Sequence, residues 1–219
     1  METKMSTHRN VAPVFNRYAN VFDPINNRHF FKRMMKHRAY FNMFPCFEQR
    51  HQICHKIGAK NLLDVGCGPG YQDVILAKAL NMKVTGIDVA ANMIQIAEKN
   101  SELTEVKQLC DFKVADFMMF QSDNKFDVVS SFGVIEYVKD TEQFLKNLMS
   151  YSNKIVIFTF PVKWHWFMPL RFLYYKFRHC PLKINTYTNM CTCIEQIGVK
   201  NYNIYRLNRN YLVTIRVNN

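Results

Sequence analysis

Leu62-Leu63-Asp64-Val65-Gly66-Cys67-Gly68-Pro69-Gly70 decides how this 219-residue chain is read. Leu62, Leu63 and Val65 make the short apolar run of a strand in the middle of a parallel sheet. Glycines then alternate at positions 66, 68 and 70. Without a Cβ the backbone can turn through positive φ and let a ligand approach closely. After Gly70, the residues Val74, Ile75, Leu76, Ala77 and Leu80 recur at helical spacing. Strand, glycine turn and helix together place a nucleotide at a helix N-terminus.

The dinucleotide fingerprint G-x-G-x-x-G does not fit. The third glycine comes one residue early, and position 71 is a tyrosine. Asp64 lies two residues before the first glycine, where a pyrophosphate would be repelled. A second acid, Asp88, closes the apolar run Val84-Thr85-Gly86-Ile87, the place of a ribose-hydroxyl acceptor in a doubly wound sheet. An acid beside the loop suits a cofactor with a cationic head and no phosphate. S-adenosylmethionine, with an α-amino group, a sulfonium and an adenosine, has that character.

In four segments the chain resembles the class I (Rossmann-like) S-adenosylmethionine-dependent methyltransferases. They are Leu62 to Gly70, Gly86 to Ile94, Ala115-Asp116-Phe117, and Phe126-Asp127-Val128-Val129-Ser130-Ser131-Phe132, in family order and at family spacing over about residues 45–160. The resemblance implies a role for each. The backbone around Gly66, Cys67, Gly68 and Gly70 holds the methionine part, and Asp64 holds its amino group directly or through water. Asp88 accepts from both ribose hydroxyls. Val89 and Met93 flank the adenine, Asp116 meets the adenine amino group and Phe117 lies beside the ring. Ser131 and Phe132 end the fourth strand under the sulfonium.

Around these segments the apolar pattern alternates. Strands are expected near 60–65, 82–87, 111–115, 126–131 and 154–160, and helices near 70–80, 90–100 and 139–150. The runs 200–207 and 210–217, split by Asn208-Arg209-Asn210, read as a hairpin. The expected fold is α/β: one doubly wound, mostly parallel seven-stranded sheet with helices on both faces and an antiparallel C-terminal hairpin strand. The resemblance puts that seventh strand at the sheet edge. One domain is expected, with an N-terminal helical cap (1–58), a cofactor-binding core (59–160), a substrate lid (161–187), and a C-terminal helix and hairpin (188–219). Phe47, Ile53, Cys54 and Ile57 share one helix face ahead of Gly58, a C-cap. Within the cap, Phe22-Asp23 reads either as the aromatic-acid pair that closes over the methionine end in such enzymes, or as part of a helix packed on the core.

Apolar content of 48% fits a globular chain. No apolar run reaches the roughly 20 residues of a membrane span, and Met1 to Asn10 lacks a signal-peptide core, so a cytoplasmic location is expected. The seven cysteines are then free thiols, and Cys191-x-Cys193, with Cys180 far off, makes no expected metal site. Charge is uneven. Residues 1–50 carry nine Lys/Arg against three acids, 51–142 nine against thirteen, and 143–219 eleven against one. The basic flanks include Arg28, Lys32, Arg33, Lys36 and Arg38.

Residues 161–181, PVKWHWFMPLRFLYYKFRHCP, hold both tryptophans, four basic residues and no acid. In the resembled family the insertion after the fifth strand builds the substrate lid. This one reads as an aromatic, cationic pocket wall for an apolar or acidic substrate, as a basic amphipathic helix (163–178) on an anionic membrane surface, or as an ordinary packed helix. Methyl transfer from a sulfonium needs alignment and exclusion of water more than a strong base. Many relatives carry histidine where Tyr137 stands, and a phenol with a pKa near 10 is a poor base at neutral pH. His165 in the lid is the next catalytic candidate, with Tyr187 behind it. The pattern has no N/D-P-P-Y/F motif and no catalytic Pro-Cys. It points to a small-molecule acceptor, with oxygen favoured over nitrogen, and no nucleic-acid partner is expected. An RNA methyltransferase using the basic flanks, and a non-catalytic cofactor-binding scaffold, are the alternatives.

Overall fold

In a computed structural model of the chain, residues 11–22, 30–162, 183 and 185–217 are described. Residues 1–10, Asp23, residues 163–182 of the expected lid with His165 and Cys180, and the side chains of the basic patch at 28–38 lie outside the described residues.

The elements follow the apolar pattern closely. Two helices, α1 (Ala12–Phe22) and α2 (Phe30–Lys56), precede β1 (Asn61–Val65), α3 (Tyr71–Leu80), β2 (Lys83–Asp88), α4 (Ala91–Leu103) and β3 (Cys110–Val114). Then come β4 (Phe126–Ser131), α5 (Thr141–Ser150), β5 (Ser152–Pro161), α6 (Tyr187–Gln196), β6 (Tyr202–Leu207) and β7 (Asn210–Arg216). The strand order is β3-β2-β1-β4-β5-β7-β6. Strands β1 to β5 run parallel, β7 is antiparallel to β5, and β6 is antiparallel to β7. The seventh strand is therefore antiparallel as expected, but it lies one place inside the edge. The edge is β6, along which every residue is half-buried or exposed.

Alternation along the strands builds two cores. On one face Leu63, Val129, Val156 and Phe158 pack against Phe144, Leu145 and Leu148 of α5 and Met190 and Ile194 of α6. On the other, Leu62, Val128, Ile155 and Ile157 pack against Cys46 and Cys54 of α2 and Leu76 and Ala77 of α3. A one-residue slip of any central strand would exchange the two sets, so register and burial enforce each other. Helix α2 stops as expected before Gly58, whose N–H donates to His55 O at 3.1 Å, while Ala59 N donates to Cys54 O at 3.0 Å. Among the described residues, no helix is long and apolar enough to cross a membrane.

The order reverses between β1 and β4, which are neighbours although β2 and β3 lie on β1's other side. A crevice opens at such a switch point, outside the carboxyl ends of the strands. The glycine turn leaves β1 at that point.

Candidate active site

A cavity of about 210 Å³ fills the crevice. Its floor is Val65 and Ile87 at the strand ends, with Gly66, Gly68 and Pro69 of the turn. Asp88, Val89 and Met93 form one wall, and Ala115 and Phe117 lie beyond them. Phe132, Gly133, Val134 and Tyr137 form the opposite wall, and Val11, just ahead of α1, and Phe15 of α1 also line the cavity.

The turn is fixed by its own hydrogen bonds. Gly66 N and Cys67 N donate to Ile87 O at 2.8 and 3.1 Å, and Asn100 Nδ2 donates to Pro69 O at 2.7 Å. At Gly66 the backbone has φ +78°, and a Cβ built there would lie 2.2 Å from Val134 Cγ2. At Gly68, with φ +55°, a Cβ would meet no atom within 4 Å and would project into open space. The first glycine is demanded by packing, and the second leaves a cradle of bare backbone at the cavity edge.

Asp88 binds the turn to the next loop. Its Oδ2 accepts from Gly68 N at 3.0 Å and its Oδ1 from Ala90 N at 2.8 Å. Each carboxylate oxygen has about two lone-pair sites, so each can still accept a further donor. Removal from water lifts the Asp88 carboxyl to about 6, against the Ala90 and Gly68 N–H groups that favour its charge. Asp116 flanks the cavity between Ala115 and Phe117. Its Oδ1 accepts from Met118 N at 3.0 Å, whereas its buried Oδ2 has no hydrogen-bond partner among the described residues. A buried acceptor left unpaired costs free energy, and a ligand donor would satisfy it. Phe117 is buried with its edge toward Phe144, at 5.3 Å between ring centroids, so the residue that borders the cavity is itself part of the core.

Asp64 is less available than its position suggests. Its Oδ2 accepts from Arg50 Nη1 at 2.8 Å and its Oδ1 from Ser130 Oγ at 2.7 Å. It does not line the cavity, and neither do Cys67, Gly70 and Ser131, although each adjoins a residue that does. Ser131 is buried with its Oγ unpaired among the described residues. Removal from water, with the charges of Asp88, Asp73 and Asp64 nearby, pushes the Cys67 thiol well above its usual range and disfavours its thiolate.

Of the catalytic candidates, Tyr137 lines the cavity and is buried. Phe15 meets its ring edge-on at 5.2 Å. Among the described residues, Tyr137 and Asp88 are the two titratable side chains on the cavity wall. Tyr187 does not line it. Its half-exposed ring lies 5.4 Å from that of Tyr211, and the Cys191 thiol pushes its phenol up, away from duty as a base. His165 lies outside the described residues. The segment that holds it is flanked by Val162, whose N–H donates to Arg209 O at 2.9 Å, and Lys183, whose N–H donates to Glu136 O at 2.7 Å. That second tie lands beside Tyr137.

Sequence reading missed two contacts. The stretch Val14 to Asp23 resembles the segment that closes over the cofactor in such enzymes, but nothing in it pointed to Asn16, which ties α1 to α4. Asn92 N donates to Asn16 Oδ1 at 3.0 Å, and Asn92 Nδ2 donates to Asn16 O at 3.2 Å. Asn16 thus caps the first turn of α4, whose own Ala90 offers no capping side chain. The second is Arg50, a fully buried cation behind the turn. Its one sequence signal is a charge inside the apolar stripe Phe47, Cys54, Ile57.

Comparison with known proteins agrees with this geometry. A family model described as a methyltransferase domain matches residues 58–165. The ubiquinone biosynthesis O-methyltransferase of Pelagibacter ubique is 34% identical over 85 residues, which are 39% of this chain and 34% of that protein. The ajmaline N-methyltransferase of Rauvolfia serpentina is 31% identical over 91 residues, 41% of this chain and 31% of its own. The chain thus spans about a third of the length of these curated relatives. In fold, it is similar to the magnesium protoporphyrin IX methyltransferase of Synechocystis PCC 6803 with bound S-adenosylhomocysteine. There the TM-score is 0.72 at 15% identity, covering 96% of this chain and 98% of that one.

Proposed function

We propose that this chain, which belongs to the class I (Rossmann-like) S-adenosylmethionine-dependent methyltransferase family, transfers a methyl group to an oxygen or nitrogen of a small apolar or acidic metabolite. The observation that carries this reading is a pair of carboxylates, Asp88 on the cavity wall and Asp116 flanking it between two lining residues. Asp88 is oriented by two backbone N–H groups and keeps acceptor capacity, and Asp116 keeps a buried oxygen unpaired.

The residues present fit the cofactor. Two acids and a bare glycine backbone suit ribose hydroxyls, an exocyclic amino group and a cationic amino-acid end. A pyrophosphate would face net negative charge here. Asp88 would hold the ribose, Asp116 Oδ2 the adenine amino group, and Val89, Met93 and Phe117 the faces and edge of the ring. The turn from Gly66 to Gly70 would receive the methionine end, with Asp64 behind it. The cofactor supplies an electrophilic methyl group already activated by the positive sulfur.

What the chain itself must supply is alignment and dryness. Val11, Phe15, Phe132 and Val134 line the cavity with apolar surface and strip water from an incoming acceptor. The Tyr137 phenol is the polar group on the wall opposite Asp88, and it orients the acceptor atom by a hydrogen bond rather than removing its proton. A carboxylate acceptor is already deprotonated at neutral pH, so a poor base in the site is no obstacle to its methylation. Matches to both O- and N-methyltransferases leave the acceptor atom to experiment. The test is transfer of labelled methyl from S-adenosylmethionine to panels of phenols, carboxylic acids, amines and RNA. Label in a small acceptor, with none in RNA, is expected. Label in RNA alone would overturn the small-molecule reading.

A further inference from the structure

Arg50 stands where the apolar stripe of α2 calls for an apolar side chain, and it is 1% exposed. Its Nη1 donates to Asp64 Oδ2 at 2.8 Å and to Ser130 Oγ at 3.1 Å, and its Nη2 lies 3.1 Å from Asp73 Oδ1. The rings of Phe47 and Phe132 lie 5.5 and 5.3 Å from its Cζ. Taking a guanidinium out of water is costly, and an apolar side chain of similar volume often serves stability as well or better. A helix needing only to pack on the sheet has no use for this charge.

The positions of the partners suggest what the charge is for. Asp64 precedes Gly66 by two residues, and Asp73 follows Gly70 by three. One side chain therefore holds both ends of the glycine turn. Through Ser130 and Phe132 it also fixes the end of β4, and Phe132 lines the cavity. Burial and the charge of Asp64 push the Asp73 carboxyl well above its usual range, against the pull of Arg50. The two acids thus share a single cation, and losing it would leave them facing each other across the turn. The adenosine side of the cavity, with Asp88, Asp116 and Phe117, makes no ion pair or hydrogen bond with Arg50 among the described residues.

We propose that Arg50 is a positioning residue for the methionine end of the cofactor, acting through Asp64, the glycine turn and Phe132. This rests on the methyltransferase reading above. The geometry divides the cofactor in two, so the test divides it as well. Calorimetry with S-adenosylhomocysteine and with 5′-methylthioadenosine, which lacks the amino-acid end, compares wild type, Arg50→Met and Ser130→Ala. Arg50→Met is expected to weaken S-adenosylhomocysteine by at least about 10-fold and methylthioadenosine by less than about 3-fold, as loss of a charged hydrogen-bond network on one side only implies. Ser130→Ala, which keeps the ion pairs, is expected to move the ratio of the two affinities the same way by about 3-fold. Equal weakening of both ligands in Arg50→Met overturns the proposal, because Arg50 would then serve the fold alone. If Arg50→Met does not fold, Ser130→Ala decides, and an unchanged ratio overturns it. A wild type that binds neither ligand defeats the cofactor reading itself, a result distinct from either of these.

Discussion

Replacing Gly66 by alanine tests the packing of the site most sharply. The residue has φ +78°, and a Cβ there falls 2.2 Å from Val134 Cγ2. Two costs add. Holding alanine in left-handed backbone costs about 1–2 kcal/mol. Making room against Val134 costs about 1–3 kcal/mol more, because a packed wall yields only by shifting side chains or backbone. The sum is about 2–5 kcal/mol, or roughly 5–15 °C in Tm for a chain of this size. The two costs separate in a double-mutant cycle. Val134→Ala removes the clashing methyl and leaves the backbone strain. Gly66→Ala should therefore cost about 1–3 kcal/mol less in the Val134→Ala background than in wild type. Urea unfolding of the four proteins measures this. Gly68→Ala serves as the control, with a similar φ and no atom within 4 Å of the added methyl, and should cost only the backbone term. Additivity within about 0.5 kcal/mol, or a near-neutral Gly66→Ala, would refute the reasoning.

Asp88 makes the site pH-dependent in two opposite senses. Its carboxyl is lifted to about 6 in the folded chain from an ordinary value of 3.8, so its ionisation opposes folding. The resulting stability is full below about pH 4 and lost as pH rises through about 6, and the stability difference between wild type and Asp88→Asn should track that window. On the proposed role of Asp88, S-adenosylhomocysteine affinity should rise over the same window and level off above it, because only the carboxylate would accept from both hydroxyls. A pH-independent difference between the two proteins would contradict this. Asn16→Ala removes one of the two bonds that tie α1 to α4, and should weaken S-adenosylhomocysteine by about 2- to 10-fold, chiefly through faster dissociation in stopped-flow. Tyr137→Phe should lower kcat by about 10-fold or more with KM for S-adenosylmethionine nearly unchanged. Unchanged turnover would leave alignment by the apolar walls as the whole of catalysis.

Much of the fold was legible because burial is written as periodicity. The expected strand at 126–131 is β4 to the residue, and the expected helices at 70–80, 90–100 and 139–150 differ from α3, α4 and α5 by three residues or fewer at any end. Residues beside the cavity were legible where polar groups sit at strand ends, as with Asp88 and Phe117, which line it, and Asp116 between two lining residues. Contacts between distant residues were not. Arg50 meets Ser130 across 80 residues and Asn16 meets Asn92 across 76, and nothing local marks either pair. Asp64 shows the consequence. Its place before the turn suggested a ligand-facing carboxylate, but its partners are decided by a helix that the strand pattern does not mention. The position of β7 inside the edge was hidden for a related reason, since a hairpin's sequence does not say which of its strands pairs with β5.

Isothermal titration of the full chain with S-adenosylhomocysteine, in wild type and Asp88→Ala with NAD as the control ligand, tests the central claim most directly. Wild type should bind S-adenosylhomocysteine and not NAD, and Asp88→Ala should bind it at least about 10-fold more weakly, having lost a charged acceptor for two hydroxyls. Binding of NAD in its place, no binding of S-adenosylhomocysteine, or equal affinity in Asp88→Ala would contradict the account.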